Sequence, residues 1–331
     1  MKETCGSDNT MIDYVNDKQV RINGILTDII DETGKEIPLL TVTMITFNHS
    51  RYLEKAILGV LNQKTDFDFK LLIGDDCSID GSRDILLKYQ KLFPSKIILK
   101  LPKSNLGANI NSFSNRMLCK SKYICDNEGD DFWIDELKLQ NQVEFLEEKT
   151  DFNIVAGRNL RMYGDELRDD KIFTPDDNII DRFDYFKKRA FHISTACYRN
   201  PKEYPNWILD IFSSDKFLVF LIAGNKKICV KNKVLSVYRV HEMGISRIKV
   251  AQGIKKKRLQ GNIRGLNMIK DDFFGHDMEW IKCQLKYLSL IEANMDASLV
   301  QRFLILLNNL PFFIRNRNML NHRMILAYFF K

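Results

Sequence analysis

A chain of 331 residues with 45% hydrophobic and 28% charged side chains has the material for one large or two smaller folded domains, which excludes a disordered or collagen-like polymer. Its longest apolar runs, such as 303–307 and 324–330, fall far short of the roughly 20 residues needed to cross a bilayer. With no signal-peptide-like stretch near the start, a cytoplasmic protein is expected. The formal charge of +7 sits in the tail, where residues 240–331 carry fifteen Lys or Arg against seven Asp or Glu; this points to phosphate or an anionic lipid surface rather than to a domain built for nucleic acid.

Seven cysteines with no C-x-x-C pair argue against a disulfide framework and against a structural zinc site.

In chain order, residues 1–37 read as a weakly specified N-terminal arm with an Asn23–Gly24 turn between short apolar stretches. Residues 39–47 form a β-branched-rich run. The stripe Leu53, Ile57, Val60 and Leu61 then predicts a helix. A strand at 69–73, a helix carrying Ile85, Leu86, Tyr89 and Phe93, and a strand at 96–101 follow. Next come a loop with Pro102, Asn105 and Gly107, a helix to about Cys119, a strand at 122–125, and a helix with Leu139, Val143 and Leu146 on one face.

This alternation predicts an α/β fold with a mostly parallel sheet flanked by helices, because parallel neighbours need long crossovers. Ligands in such sheets bind beyond the carboxyl ends of the strands, which directs attention to the polar loops at 48–50, 74–82 and 127–133. After residue 150 shorter strands are expected at 153–156, 192–198 and 234–240, antiparallel in character, with helices at 181–188 and 214–223. Residues 246–331 read as a helical, basic tail with two apolar helices separated near Pro311. The expected division is therefore 1–37, 38–245 with halves at 38–150 and 151–245, and 246–331.

Two loops carry the candidate chemistry. Gly74-Asp75-Asp76-Cys77-Ser78-Ile79-Asp80-Gly81-Ser82 follows a strand and opens a helix; its Asp and Ser side chains suit helix capping, and an Asp at the strand end also suits acceptance of the imide N–H of a uracil or thymine ring. Glu128-Gly129-Asp130-Asp131-Phe132-Trp133 sets three acids within four residues. They either remain solvated or share a hard divalent ion, Mg2+ or Mn2+.

Taken in order, Leu40-Thr41-Val42-Thr43-Met44-Ile45-Thr46-Phe47-Asn48, then 74–82, then Asn105-Leu106-Gly107, then Glu128 to Trp133 resemble the inverting family 2 glycosyltransferases of the GT-A fold, over roughly residues 38–245. The resemblance implies a nucleotide-binding sheet, a smaller acceptor-side region and a helical C-terminal tail. It implies that Phe47 lies against the base of a nucleotide-sugar donor, a UDP-sugar by preference, with Thr46 and Asn48 beside it. Asp76 would read the base edge, and Asn105 and Gly107 would shape the same pocket. Asp130 and Asp131 would hold the metal and diphosphate, with Glu128 where many members have Asp.

An inverting transfer also needs a base for the acceptor hydroxyl. The segment 191–199 and Ser213-Ser214-Asp215-Lys216-Phe217-Leu218 resemble the family's acceptor side, which nominates Asp215, with Asp210 as fallback. Asp215 equally suits a helix-opening position stabilised by the helix dipole. Val237-Tyr238-Arg239-Val240-His241-Glu242-Met243-Gly244 resembles a further family segment, in which His241 either completes the metal shell or contacts the diphosphate, or is a half-exposed strand-end histidine, and Arg239 suits pairing with phosphate. The other histidines are assigned no chemistry.

The implied partners are a nucleotide sugar and a glycan or lipid-linked oligosaccharide acceptor of surface polysaccharide synthesis. The basic apolar tail helices add peripheral contact with the inner face of the cytoplasmic membrane, and nucleic acid is excluded. Two rival functions share these acids: a nucleotidyltransferase, which commonly has a Gly-rich basic loop that Ile45 to Ser50 lacks, and a catalytically silent binding module.

Overall fold

The computed structural model describes residues 12–16, 18–170, 177–201, 203–211, 215–242, 244, 252–272, 275–295 and 297–320. The chain divides into two discontinuous compact units. The first takes residues up to 179 with 191–204 and 226–239; the second takes 180–190, 205–225 and everything from 240.

The first unit begins with three strands, β1 (Ile12–Asn16), β2 (Gln19–Ile22) and β3 (Ile25–Asp31), where the sequence suggested a weakly specified arm. Asn23 and Gly24 take φ of +48° and +78°, the two-residue turn whose twist suits a hairpin. Val20, Ile22 and Thr27 point inward and are buried. These strands are short and charged on their outer face, so their alternation is weak in the sequence. What orders them is β3 pairing antiparallel with β6, Thr27 to Asp31 against Pro102 to Ile98.

The body follows as β4 (Leu40–Thr46), α1 (Ser50–Leu61), β5 (Phe69–Asp75), α2 (Ser82–Leu92), β6 (Ile97–Pro102), α3 (Ala108–Leu118), β7 (Tyr123–Glu128), β8 (Phe132–Trp133) and α4 (Lys138–Glu148). β6, β5, β4 and β7 run parallel and adjacent. The predicted stripes face the sheet: Leu53, Ile57 and Val60 of α1, Leu86 and Tyr89 of α2, and Leu139, Val143 and Leu146 of α4 are buried against Val42, Met44, Leu71 and Ile73. Each fully buried side chain of this size contributes about 1.5–3 kcal/mol.

Then come β9 (Phe152–Tyr163), β10 (Glu166–Asp169), β11 (Asn178–Ile180), α5 (Arg182–Lys187), β12 (Cys197–Arg199), α6 (Asp215–Ala223) and β13 (Lys227–Arg239). Among the described residues the sheet order is β1-β2-β3-β6-β5-β4-β7-β12-β9-β13-β11, with β10 on β9 and β8 on β13. β12 is antiparallel to β7 and β9, as expected of this region. β9 and β13 are not: they are long and pair in parallel, from Lys227 against Phe152 to Arg239 against Met162. The intervening 63 residues provide the crossover that a parallel pair requires.

In the second unit, α5 and α6 are joined by α7 (Gln252–Ile269), α8 (Gly275–Met295), α9 (Leu299–Asn308) and α10 (Leu310–Arg315). Its centre is aromatic: Phe186 makes edge contacts with Phe217, Phe220 and Trp280, and Phe183 packs on Phe220 and Trp280. α9 opens with a capping box between Ser298 and Gln301. Among the described residues no helix is long and apolar enough to cross a membrane. The apolar stretch 324–330 lies outside the described residues.

Candidate active site

Parallel register sets Thr46 opposite Asp75 and Ile45 opposite both Gly74 and Glu128, so the loops leaving β4, β5 and β7 emerge together. The β4 and β5 loops are fastened to each other. Asn48, at φ +56°, donates its backbone N–H to Ser78 Oγ (2.9 Å) and accepts from Ile79 N on its side-chain oxygen (2.9 Å). His49 N donates to Ser82 Oγ (3.0 Å), and Ser50 N to Asp80 (2.9 Å). Phe47 projects beside this seam with 44% of its surface exposed.

The three acids of the β5 loop have three separate fates. Asp75 is fully buried and held by the Arg83 guanidinium (2.8 and 2.9 Å) and by Ser78 N (3.3 Å). Asp80 caps α1 through Ser50 N and binds Ser82 through N–H and hydroxyl; burial opposes its charge, but these bonds prevail and hold it at about 2. Asp76 is the residue capping does not use. Its Oδ1 accepts from Leu106 N (2.6 Å), while Asn105 Nδ2 donates to the Asp76 carbonyl (3.0 Å) and Asn105 Oδ1 accepts from Gly107 N (2.9 Å). Gly107 sits at φ +83°, a conformation other residues rarely adopt. Burial raises the Asp76 carboxyl above the ordinary carboxylate range, against the Leu106 N–H and the charge of Lys100.

On the other side of Thr46, Glu128, Asp130 and Asp131 bring carboxylate oxygens within 4.8 Å of one another. The approach depends on Gly129, where a side chain would begin 2.7 Å from Thr46 Oγ1. Asp131 is fully buried; one oxygen accepts from Arg239 N (2.8 Å) and the other, Oδ2, has no hydrogen-bond partner among the described residues. Burial, then the charges of Asp130 and Glu128, push its carboxyl well above the usual range, and only Arg239 opposes them. An orphaned buried carboxylate oxygen within an all-oxygen cluster fits a hard divalent cation, which would be held by Glu128, Asp130 and Asp131.

Two residues join this cluster: His49, to which the sequence assigned no chemistry, and Arg239, which it nominated for phosphate rather than for the acids. His49 Nε2 stands 3.7 Å from Asp130 Oδ2. The Arg239 guanidinium bonds the Asp130 carbonyl and lies over the rings of Tyr52 (5.1 Å) and Phe132 (4.4 Å), so it braces the acidic loop. His49 has a signal in hindsight: it follows Phe47 and Asn48 directly, on a loop already marked as ligand-facing.

Asp215 and His241 belong to the second unit. Asp215 opens α6 and pairs with Arg189 (3.2 Å). His241 accepts Gly244 N on its backbone carbonyl (3.1 Å). Ser213 and Ser214 lie outside the described residues, as does the side chain of Asp210.

The family described as Glycosyl transferase family 2 matches residues 41–200. An uncharacterized protein of Mycobacterium tuberculosis is 25% identical over 210 residues; the match covers 62% of this chain and spans 60% of the length of that curated relative. The crystal structure of S. aureus TarS 1–349 in complex with UDP-GlcNAc is similar with a TM-score of 0.59 at 16% identity, over 87% of this chain and 81% of that one. The mannosyltransferase PcManGT from Pyrobaculum calidifontis, in complex with GDP-Man and Mn2+, gives 0.52 at 15% identity, over 89% and 86%. Shared shape over most of the chain shows that the protein has the GT-A fold, and the segment that matches the Glycosyl transferase family 2 model, just under half of the chain, spans all three strand-end loops.

Proposed function

We propose that the protein transfers one sugar, with inversion, from a nucleotide-sugar donor of the UDP class to a hydroxyl of a glycan or lipid-linked oligosaccharide. The observation that carries this reading is the pairing, on either side of Thr46, of the Asp76 carboxyl with the acidic cluster of half-buried Glu128 and buried Asp130 and Asp131. Phe47 stacks on the base, Asp76 accepts the imide N–H, and Asn105 and Gly107 hold Asp76 in place. Thr46 and Asn48 shape the floor of the pocket.

Glu128, Asp130 and Asp131 would hold Mn2+ or Mg2+, with His241 as a further proposed ligand; bound there, the ion would supply charge neutralisation for the departing diphosphate. Asp215 takes the proton of the acceptor hydroxyl as its oxygen bonds to the anomeric carbon and the sugar–diphosphate bond breaks, releasing the nucleoside diphosphate. The neighbours solved with UDP-GlcNAc and with GDP-Man and Mn2+ support the donor class and the ion.

On the second unit, Phe303, Leu304, Leu307, Leu310 and Ile314 are exposed along α9 and α10, and no Asp or Glu occurs from 297 to 331. This favours peripheral contact with an anionic membrane, where lipid-linked acceptors reside.

The test is release of nucleoside diphosphate from a panel of UDP-, dTDP- and GDP-sugars, with and without Mn2+ and with glycan acceptors. Asp131→Ala and Asp215→Ala are expected to abolish turnover, by about a hundredfold or more, while circular dichroism is unchanged. Full turnover by both variants would remove these assignments. Donor binding without release, acceptor present, would favour a silent binding module.

A further inference from the structure

The strand ends rest on a buried polar seam that the proposed reaction does not use. Lys100 of β6 is fully buried directly opposite Gly74 in the β5 ladder. Its chain crosses where a Gly74 side chain would stand: a Cβ there would lie 2.9 Å from Lys100 Cε, 2.5 Å from Asn111 Oδ1 and 2.6 Å from Asn115 Oδ1. Lys100 Nζ donates to the Asn111 carbonyl (2.7 Å) and to Ser114 Oγ (2.5 Å), both on α3, and no carboxylate lies within ion-pair distance of it among the described residues. Asn111 Nδ2 in turn donates to the Gly74 carbonyl, two residues before Asp76 (2.9 Å). An ammonium enclosed by neutral partners is costly, and packing alone would be met by Met or Leu.

We propose that Lys100 is a positioning residue that sets base specificity through Asp76: its charge, fixed beneath the strand ends, keeps the Asp76 carboxyl ionised and hydrogen-bond-accepting, so that rings presenting an imide N–H, uracil or thymine, are chosen over cytosine. Cytosine offers a ring nitrogen acceptor at the same edge and needs a protonated carboxyl as its partner. The inference rests on the reading of Asp76 as the base-contacting group.

Each charge favours the other against burial. Burial raises Asp76 and Lys100 opposes it; burial depresses Lys100 well below the usual lysine range and the Asp76 charge opposes that. The other ionisable groups facing the pair are Asp75, neutralised by Arg83, and the Cys119 thiol, which burial raises to about 12 and so keeps uncharged. Asn111, Ser114 and Asn115 are neutral.

The experiment measures dissociation constants of UDP and CDP with Mn2+, from mildly acid to mildly alkaline pH, for the wild type, Lys100→Met, Lys100→Gln and Ser114→Ala. Removing the charge is expected to move the acid limb of UDP binding upward by about one pH unit, and to reduce the UDP over CDP preference about tenfold. Lys100→Gln, neutral yet able to bond α3, must behave as Lys100→Met does and serves if the Met variant fails to fold. Ser114→Ala, which keeps the charge, must retain the preference. Unchanged pH limb and preference in both Lys100 variants overturn the proposal, as does an equal loss of UDP and CDP. A wild type that binds neither nucleotide sinks instead the donor-site reading on which it stands.

Discussion

At the scale of single residues, surroundings decide what an aspartate does. Asp75, Asp76 and Asp80 lie within six positions, yet one is neutralised by Arg83, one is aimed by a backbone N–H, and one caps a helix. Asp131 is the extreme case, buried among like charges with an oxygen unpartnered. Because its folded pKa lies above the ordinary 3.8, Asp131 holds its proton more readily in the folded, cation-free protein than in the unfolded chain. Its contribution to stability is therefore fully present below the ordinary value and is lost as pH rises through the elevated one. Thermal unfolding without divalent ions should show this decline for the wild type and a flatter profile for Asp131→Asn; added Mn2+ should raise the wild-type melting temperature at neutral pH and leave the variant unmoved. Parallel profiles for the two proteins would contradict the cluster's role. The acids themselves were legible in the sequence, because three carboxylates at a strand end demand compensation. That Arg239, about a hundred positions later, would brace the acidic loop and that His49 would stand beside Asp130 was not, since neither follows from local spacing.

At the scale of elements, the site is made by two loops that hold each other. The turn after β4 has no side-chain cap of its own at α1, and the donor group of that helix start is met from the β5 loop by Asp80. Asp80→Ala is expected to lower unfolding free energy by about 1 kcal/mol, the usual worth of a helix cap, and to weaken nucleotide binding because Asn48 and Phe47 loosen with it. Its acid dependence has a definite sign. The depressed pKa of about 2 gives a contribution present above the ordinary carboxylate value and lost as pH falls toward 2, so the variant should lack that part of the wild type's acid destabilisation in urea titrations. Identical acid limbs would place the cap elsewhere. Helix stripes and parallel strands of the nucleotide half follow from periodicity and match their elements closely. The hairpins before β4 and the parallel pairing of β9 with β13 do not follow: both are settled by partners remote in the chain, Thr27 to Asp31 finding β6 and Lys227 to Arg239 finding β9.

At the scale of the whole molecule, charge is segregated along the chain, with residues 240–331 net +8 and the rest near neutral. An exposed apolar strip flanked by Arg302, Arg315 and Arg317 should bind vesicles containing anionic lipid more strongly than neutral ones, and sodium chloride should weaken that binding, because exposed charges are screened beyond about 10 Å at 0.1 M salt. Phe303→Ser with Leu307→Ser is expected to reduce vesicle co-sedimentation severalfold with the fold intact. Binding that ignores both lipid charge and salt, or self-association through the same strip, would refute the membrane reading.

By itself the sequence determined the α/β alternation, the polar loops at the strand ends, the resemblance to a family, and the acids from which a cation site can be built, since each depends on residues close together in the chain. Only the tertiary structure decided that Asp76 is left free of helix capping, that one Asp131 oxygen has no hydrogen-bond partner among the described residues, that the first strands extend the sheet, and that a lysine lies buried opposite Gly74. Those outcomes depend on distances between segments that spacing along the chain does not encode, and on burial, which turns an ordinary charge into one that must be answered.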